Sequence, residues 1–172
     1  TSVVFPEGLE SVGDNAFYKC NSIEEFVFPN SLTTYGVLSF AGCANLKRIY
    51  LPETVTSINN SFNSCKSLTD VFIYATTPPT LINETEDAAS FPPNVKFTIH
   101  VPEGAYNTYY EKWHGLRYMD NATIVADIKS GVNSIRANGL TAKVVGDALL
   151  VESTAEGIDV FSISGVLVAS TT

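Results

Sequence analysis

A repeat of about 23 residues governs the first half of this chain. Proline recurs at Pro6, Pro29 and Pro52. Leu9, Leu32 and Val55 keep the same step, as do Val12, Tyr35 and Ile58. Phe17, Phe40 and Phe62 step by 23 and then by 22, and so do Cys20, Cys43 and Cys65. Ile23, Leu46 and Leu68 follow, and Val3, Phe26, Ile49 and Val71 hold the register as well. The third unit has lost one residue between Ile58 and Phe62, after which the columns resume in phase. Such a loss belongs to a loop on the outside of a stack. Units this short bury an apolar face only against their neighbours, and that requirement makes a solenoid.

Within a unit, Leu46-x-x-Ile49-x-Leu51 is the strand signal. Ile49 and Leu51 alternate with Arg48 and Tyr50, the two-residue period of a strand with one face inside. The next residue is proline, which cannot continue a ladder. The stretch from Val55 to Cys65 returns the chain to the next strand, with Ile58, Phe62 and Cys65 inward. Equivalent positions stack, so Phe17, Phe40 and Phe62 are expected to form an aromatic spine. The three cysteines read as buried free thiols that act as small apolar residues. An odd number is a poor disulfide framework, and no histidine or further cysteine stands near them at zinc-ligand spacing.

The unit Phe5-Pro6-Glu7-Gly8-Leu9-Glu10-Ser11-Val12-Gly13-Asp14-Asn15-Ala16-Phe17-x-x-Cys20-x-x-Ile23 resembles the BspA-type leucine-rich repeat, whose pattern is L-P-x-x-V-x-x-I-G-x-x-A-F-x-x-C-x-x-L. The resemblance covers about residues 1–75, with a degenerate further unit ending at Val101-Pro102. It implies a leucine-rich-repeat solenoid on a secreted or surface-anchored protein of gut and oral bacteria or some protozoa. It also implies adhesion and binding to host proteins.

After Tyr74 the register breaks at Ala75-Thr76-Thr77-Pro78-Pro79-Thr80. Asn83-Glu84-Thr85-Glu86-Asp87 carries enough oxygen for Ca²⁺, yet lacks the alternation and glycine of a calcium loop, so it reads as a solvated acidic loop. Phe97 to Pro102 repeats the strand-then-proline pattern. Tyr106, Tyr109, Tyr110 and Trp113 then fall on one face of a helix, about residues 103–115, with Gly115 placed to end it. Four aromatics there suggest either a sugar-stacking platform or, the favoured reading, a cap for the open end of the stack.

The organisation expected is a mainly β chain. A capped solenoid spans 1–118, a linker 119–131, and a small, incomplete antiparallel β domain 132–172. Gly146-Asp147 and Ser164-Gly165 are hairpin turn signals in that last part. The segment Val160 to Val168 is similar to the C-terminal sorting tails of Bacteroidetes secretion substrates. It lacks their acidic residue at Ser162 and their basic residue at Val166. The one methionine is Met119, so the chain reads as a processed or excised piece.

Composition narrows the function. Ten basic residues against 18 acidic ones give a charge of −8, which argues against nucleic acid or an anionic membrane as partner. No apolar run nears the ~20 residues that span a bilayer. With 45% hydrophobic and 16% charged residues the chain is no disordered segment. No nucleophile elbow, phosphate loop or metal helix motif occurs, and neither His100 nor His114 has a nucleophile in evident reach. The expectation is a protein without enzymatic activity, cofactor or metal site.

A better candidate lies on the outer sheet face. The residue between the two inward strand positions gives the column Val4, Val27, Tyr50, Phe72 and His100. Beside it run Glu25, Arg48, Asp70 and Thr98, with Tyr74 at the fourth strand's end. Exposed apolar and aromatic rows mark binding sites, and aromatics with Arg are enriched at hot spots. Val27, Tyr50, Phe72, Tyr74, His100, Arg48, Glu25 and Asp70 are therefore the candidate binding residues. The expected role is a secreted or surface module that binds a protein or glycan. Two alternatives stand beside it. One is a structural spacer whose face meets only itself or its C-terminal part. The other is a calcium-dependent or carbohydrate-binding accessory module built on Tyr106, Trp113 and the acidic loop.

Overall fold

A computed structural model describes residues 1–82, 89–116 and 119–129. In the remainder it describes the backbone of 135–137, 140–145, 148–153, 159–161 and 167–170. The elements in chain order are β1 (Ser2–Val4), β2 (Ser11–Val12), β3 (Glu25–Val27), β4 (Thr34–Tyr35), β5 (Arg48–Leu51), β6 (Ser57–Asn59), β7 (Asp70–Ile73), β8 (Thr80–Ile82), β9 (Phe97–Pro102), α1 (Tyr106–Trp113), β10 (Ala122–Ile128), β11 (Ile135–Ala137), β12 (Leu140–Val145), β13 (Ala148–Ser153), β14 (Asp159–Phe161) and β15 (Leu167–Ser170). The chain divides into two compact units, residues 1–129 and residues 130–172.

The first unit is a solenoid. Its main sheet is parallel, with order β1-β3-β5-β7-β9-β10, so each turn adds one strand beside the last. The register follows the repeat: Val3 faces Phe26, Phe26 faces Ile49, Ile49 faces Val71 and Val71 faces Ile99. On another side, β2 pairs with β4 and β6 with β8. The return segments are laddered too. The amides of Phe17 and Phe40 donate to Ser39 and Ser61 carbonyls one turn on, at 2.7 and 3.1 Å. Backbone groups of an irregular return segment thus find partners in the next turn, as burial demands.

The return segment turns through left-handed backbone at repeating positions. Asn15, Leu38 and Asn60 form one such column, and Lys19, Gly42 and Ser64 the other. The residue missing from the third unit lies ahead of Asn60, where the chain leaves β6. In the second unit the Val37 amide donates to Asp14 Oδ1 at 2.8 Å, which draws Asp14 over Gly36. A Cβ on Gly36 would collide with the Asp14 backbone, so only glycine fits there.

The core is the stack of identical positions. Phe17 and Phe40 stack at 5.6 Å, Phe40 and Phe62 at 5.5 Å, and Phe62 and Phe91 at 6.0 Å, with ring planes within about 13° of parallel. Phe26 and Phe28 meet Phe40 edge-on at 4.9 Å. Cys43 and Cys65 are buried free thiols whose Sγ atoms donate to the carbonyls of Phe17 and Phe40 one turn back, at 3.2 and 3.5 Å. Burial pushes them up to about 11 and about 12 respectively. Cys20, also free, is half-buried on the first turn.

Two expectations are corrected. The helix is shorter than 103–115, and it is a crossover between parallel strands, not the end of the stack. It runs Tyr106–Trp113, with Gly115 left-handed just beyond it. The chain then re-enters the sheet as β10, in register with β9 from Ala122 opposite Phe97 to Ala126 opposite Val101. Residues 122–128 therefore extend the solenoid where a linker was expected. Ile124 and Ala126 turn to the core alongside Ile99 and Val101, and that burial holds the strand without a repeat signature.

In the second unit, β12 pairs antiparallel with β11 and with β13, and β14 with β15. The two turn signals, Gly146-Asp147 and Ser164-Gly165, lie outside the described residues, as does the acidic loop 83–87. So does the part of the sorting-tail resemblance at 162–166.

Candidate functional site

The register assembles the outer column as expected. Val4, Val27, Tyr50, Phe72 and His100 are successive partners across the sheet, and Val125 on β10 continues the row. In-register parallel strands repeat at about 4.8 Å, close to the contact distance of flat rings. Tyr50 stacks on Phe72 at 4.6 Å, and Phe72 on His100 at 4.3 Å, both within about 12° of parallel.

Exposure along this row departs from expectation. Val27 is 4% exposed and Tyr50 7%. Burial pushes the Tyr50 hydroxyl up to about 12. Val4, on the edge strand, is 48% exposed, while Phe72, Tyr74 and His100 are half-buried. The accessible part of the face is its ends and its polar flank, not its centre.

That flank is a ladder of alternating charge. Ser2 Oγ donates to Glu25 Oε1 at 3.2 Å, and Arg48 Nε donates to Glu25 Oε2 at 2.7 Å. Arg48 is exposed, and the Glu25 bond holds its guanidinium pKa above the usual value. Asp70 comes next in register. His100 then reaches two carboxylates from two strands: Nε2 lies 3.1 Å from Asp70 Oδ1, and Nδ1 lies 2.8 Å from Asp127 Oδ2. An ionised carboxylate only accepts, so both contacts are hydrogen bonds only when both ring nitrogens carry protons. Asp127 was not legible in the sequence, because Thr98 to Thr123 is a step of 25 and no proline or cysteine marks it.

A second cleft lies between α1 and β10. The aromatics expected on one helix face divide into two pairs. Tyr109 and Trp113 are buried, and donate to the carbonyls of Ala75 and Pro79 at 2.7 and 3.2 Å. Burial holds the Tyr109 hydroxyl well above its ordinary range. Lys112 Nζ adds a bond to the Pro78 carbonyl at 2.9 Å. This pair packs the crossover helix onto the segment that follows β7. Tyr106 and Tyr110 are each 41% exposed. They stack at 5.7 Å, and Tyr110 continues onto His114 at 4.4 Å. They wall a cleft of about 320 Å³ whose other side is Asp120 and Thr123.

Among the described residues, no group of three or more His, Cys, Asp or Glu is arranged to hold a metal ion. None of the described helices is long and apolar enough to cross a membrane.

Comparison with known proteins fits the repeat geometry. The sequence model of the BspA type leucine rich repeat region matches residues 1–88, in six copies. The chain belongs to the BspA-type leucine-rich repeat family. The matched span ends within the fourth turn, so β9, α1 and β10 complete this BspA-type solenoid with sequence outside the repeat pattern. No curated protein matches the chain at a significant level.

Proposed function

We propose that this BspA-type module is a non-catalytic binding unit of a secreted or cell-surface protein, engaged in adhesion to a protein or glycan. The observation that carries the reading is the in-register flank of the outer sheet. Glu25, Arg48 and Asp70 stand in register on three consecutive strands, and His100, in the adjoining column beside Phe72, reaches Asp70 across the sheet, with Tyr74 close by. A repeated rung spacing fixes such groups without loop entropy, which favours recognition of an extended partner. The absence of catalysis is supported by how the reactive groups are used. The Cys43 and Cys65 thiols are buried and bonded to backbone carbonyls. The antiparallel strands after residue 130 are read as a separate small β domain of the same protein.

The test is a binding screen of the whole chain against extracellular matrix proteins and glycans. Arg48→Ala and Tyr74→Ala serve as probes, because they alter the accessible flank and leave the buried Tyr50 in place. Binding that weakens in both variants at unchanged melting temperature is the expected result. Binding indifferent to both removes the sheet face as the site.

The burial of Val27 and Tyr50 favours a second reading, a structural spacer in which the column serves the module's own cohesion. A screen without any ligand, together with a large loss of stability in Tyr50→Ala, is what that reading expects.

A further inference from the structure

We infer that the cleft between α1 and β10 is a binding site for a neutral sugar ring, separate from the sheet face and independent of its role. The argument begins with what the exposed aromatics do not do. Tyr109 and Trp113 supply the helix's packing, and Tyr106 and Tyr110 contribute little to it, being 41% exposed. Their rings are nevertheless ordered into a stack that ends on His114. Large ordered aromatics at a surface cleft are what binding sites use.

Several polar groups converge on the cleft. The Tyr106 and Tyr110 hydroxyls, the Asp120 carboxylate and the Thr123 hydroxyl all line the cleft, together with the apolar Ala122 and Ile124. This mixture, an apolar floor with a few convergent polar groups and a volume of about 320 Å³, suits a ligand of one or two rings.

Electrostatics chooses the chemical class. Asp120 repels an anion and accepts hydrogen bonds from hydroxyls. The hydroxyls of Tyr106, Tyr110 and Thr123 can each donate and accept, which matches the hydroxyls of a polyol. A neutral polyol ring satisfies both walls. It donates to Asp120, accepts from the tyrosine hydroxyls, and lays its C–H face on the floor.

The experiment is saturation-transfer NMR on the whole chain with methyl glycosides of glucose, galactose, mannose and N-acetylglucosamine. Glucuronate and glucosamine serve as charged controls. Transfer to at least one neutral glycoside is expected, at weak affinity. Loss of a hydrogen bond to a charged group lowers affinity by roughly ten-fold or more, so Asp120→Ala should show at least that effect. Tyr110→Ala should abolish transfer, and Tyr110→Phe should retain part of it. Both positions are exposed, and an unchanged melting temperature confirms that the fold persists. No transfer from any neutral glycoside overturns the inference, as does transfer unaffected by Asp120→Ala and Tyr110→Ala. Preferential binding of either charged control overturns the neutral class.

Discussion

The regular turns, residues 1–75, and the irregular end, residues 76–129, solve the same burial problem by different means. In the regular turns, identical side chains stack on identical side chains. Phe40 has Phe17 on one face and Phe62 on the other, at nearly equal distances. In the irregular end, unlike groups meet. Phe91 continues the spine, but its next aromatic neighbour is Phe97, tilted at 40°. Tyr109 and Trp113 come from a helix and satisfy carbonyls of Ala75 and Pro79 that follow the last regular strand. A periodic core therefore needs only nearest neighbours of its own kind, while its terminus needs bespoke hydrogen bonds.

The largest expected effect breaks the periodic side of that contrast. Phe40→Ala removes a fully buried ring from the middle of the spine and should destabilise by about 3–5 kcal/mol. Chemical denaturation monitored by circular dichroism reads it. A cost below about 1 kcal/mol would mean that the stacked ring contributes little to the core.

A smaller change probes the terminus. Tyr109→Phe keeps the ring but leaves the Ala75 carbonyl unsatisfied, at a cost of roughly 1–3 kcal/mol. If the two regions fold as one cooperative body, this variant and Phe40→Ala lower a single transition. If they do not, Tyr109→Phe splits off an early transition belonging to α1 and β10.

The smallest effect is a pH dependence specific to the repeats. Burial disfavours the thiolate and pushes the Cys43 and Cys65 thiols of the folded chain up from the ordinary 9.0 to about 11 and about 12. Below about pH 9 both states hold the proton, and the thiols add no pH dependence. Between about 9 and 11 the unfolded chain releases protons that the folded chain keeps, so stability falls as pH rises. A Cys43→Ala/Cys65→Ala variant should show a shallower alkaline drop in Tm. Alkylation of the native protein should modify half-buried Cys20 first. The buried phenols of Tyr35 and Tyr109 act in the same direction and remain in the variant.

Legibility followed periodicity. The register of Val3, Phe26, Ile49 and Val71, the phenylalanine spine and the inward cysteines were all readable, because each repeats in several turns. Phe91 was not, since the step from Phe62 grows to 29 residues across the acidic segment. β10 was missed for the same reason: Ala122–Ile128 owes its place to parallel pairing with β9, a tertiary partner that no local pattern announces. The outer column was readable as a row and misread as to exposure. Alternation tells which face a side chain takes, but not how closely the rungs shut out solvent. The helix aromatics were readable as one apolar face. Only the packing separates Tyr109 and Trp113, which are buried against the solenoid, from Tyr106 and Tyr110, which stay exposed.

The central claim is that the solenoid runs on past its recognisable repeats and ends in β10. Hydrogen exchange of the whole chain, resolved by residue, tests it most directly. The account predicts that amides in Ala122–Ile128 bonded to β9 are protected to a degree approaching Phe97–Pro102. Exchange at the rate of an open linker across 122–128, with β9 still protected, would contradict it.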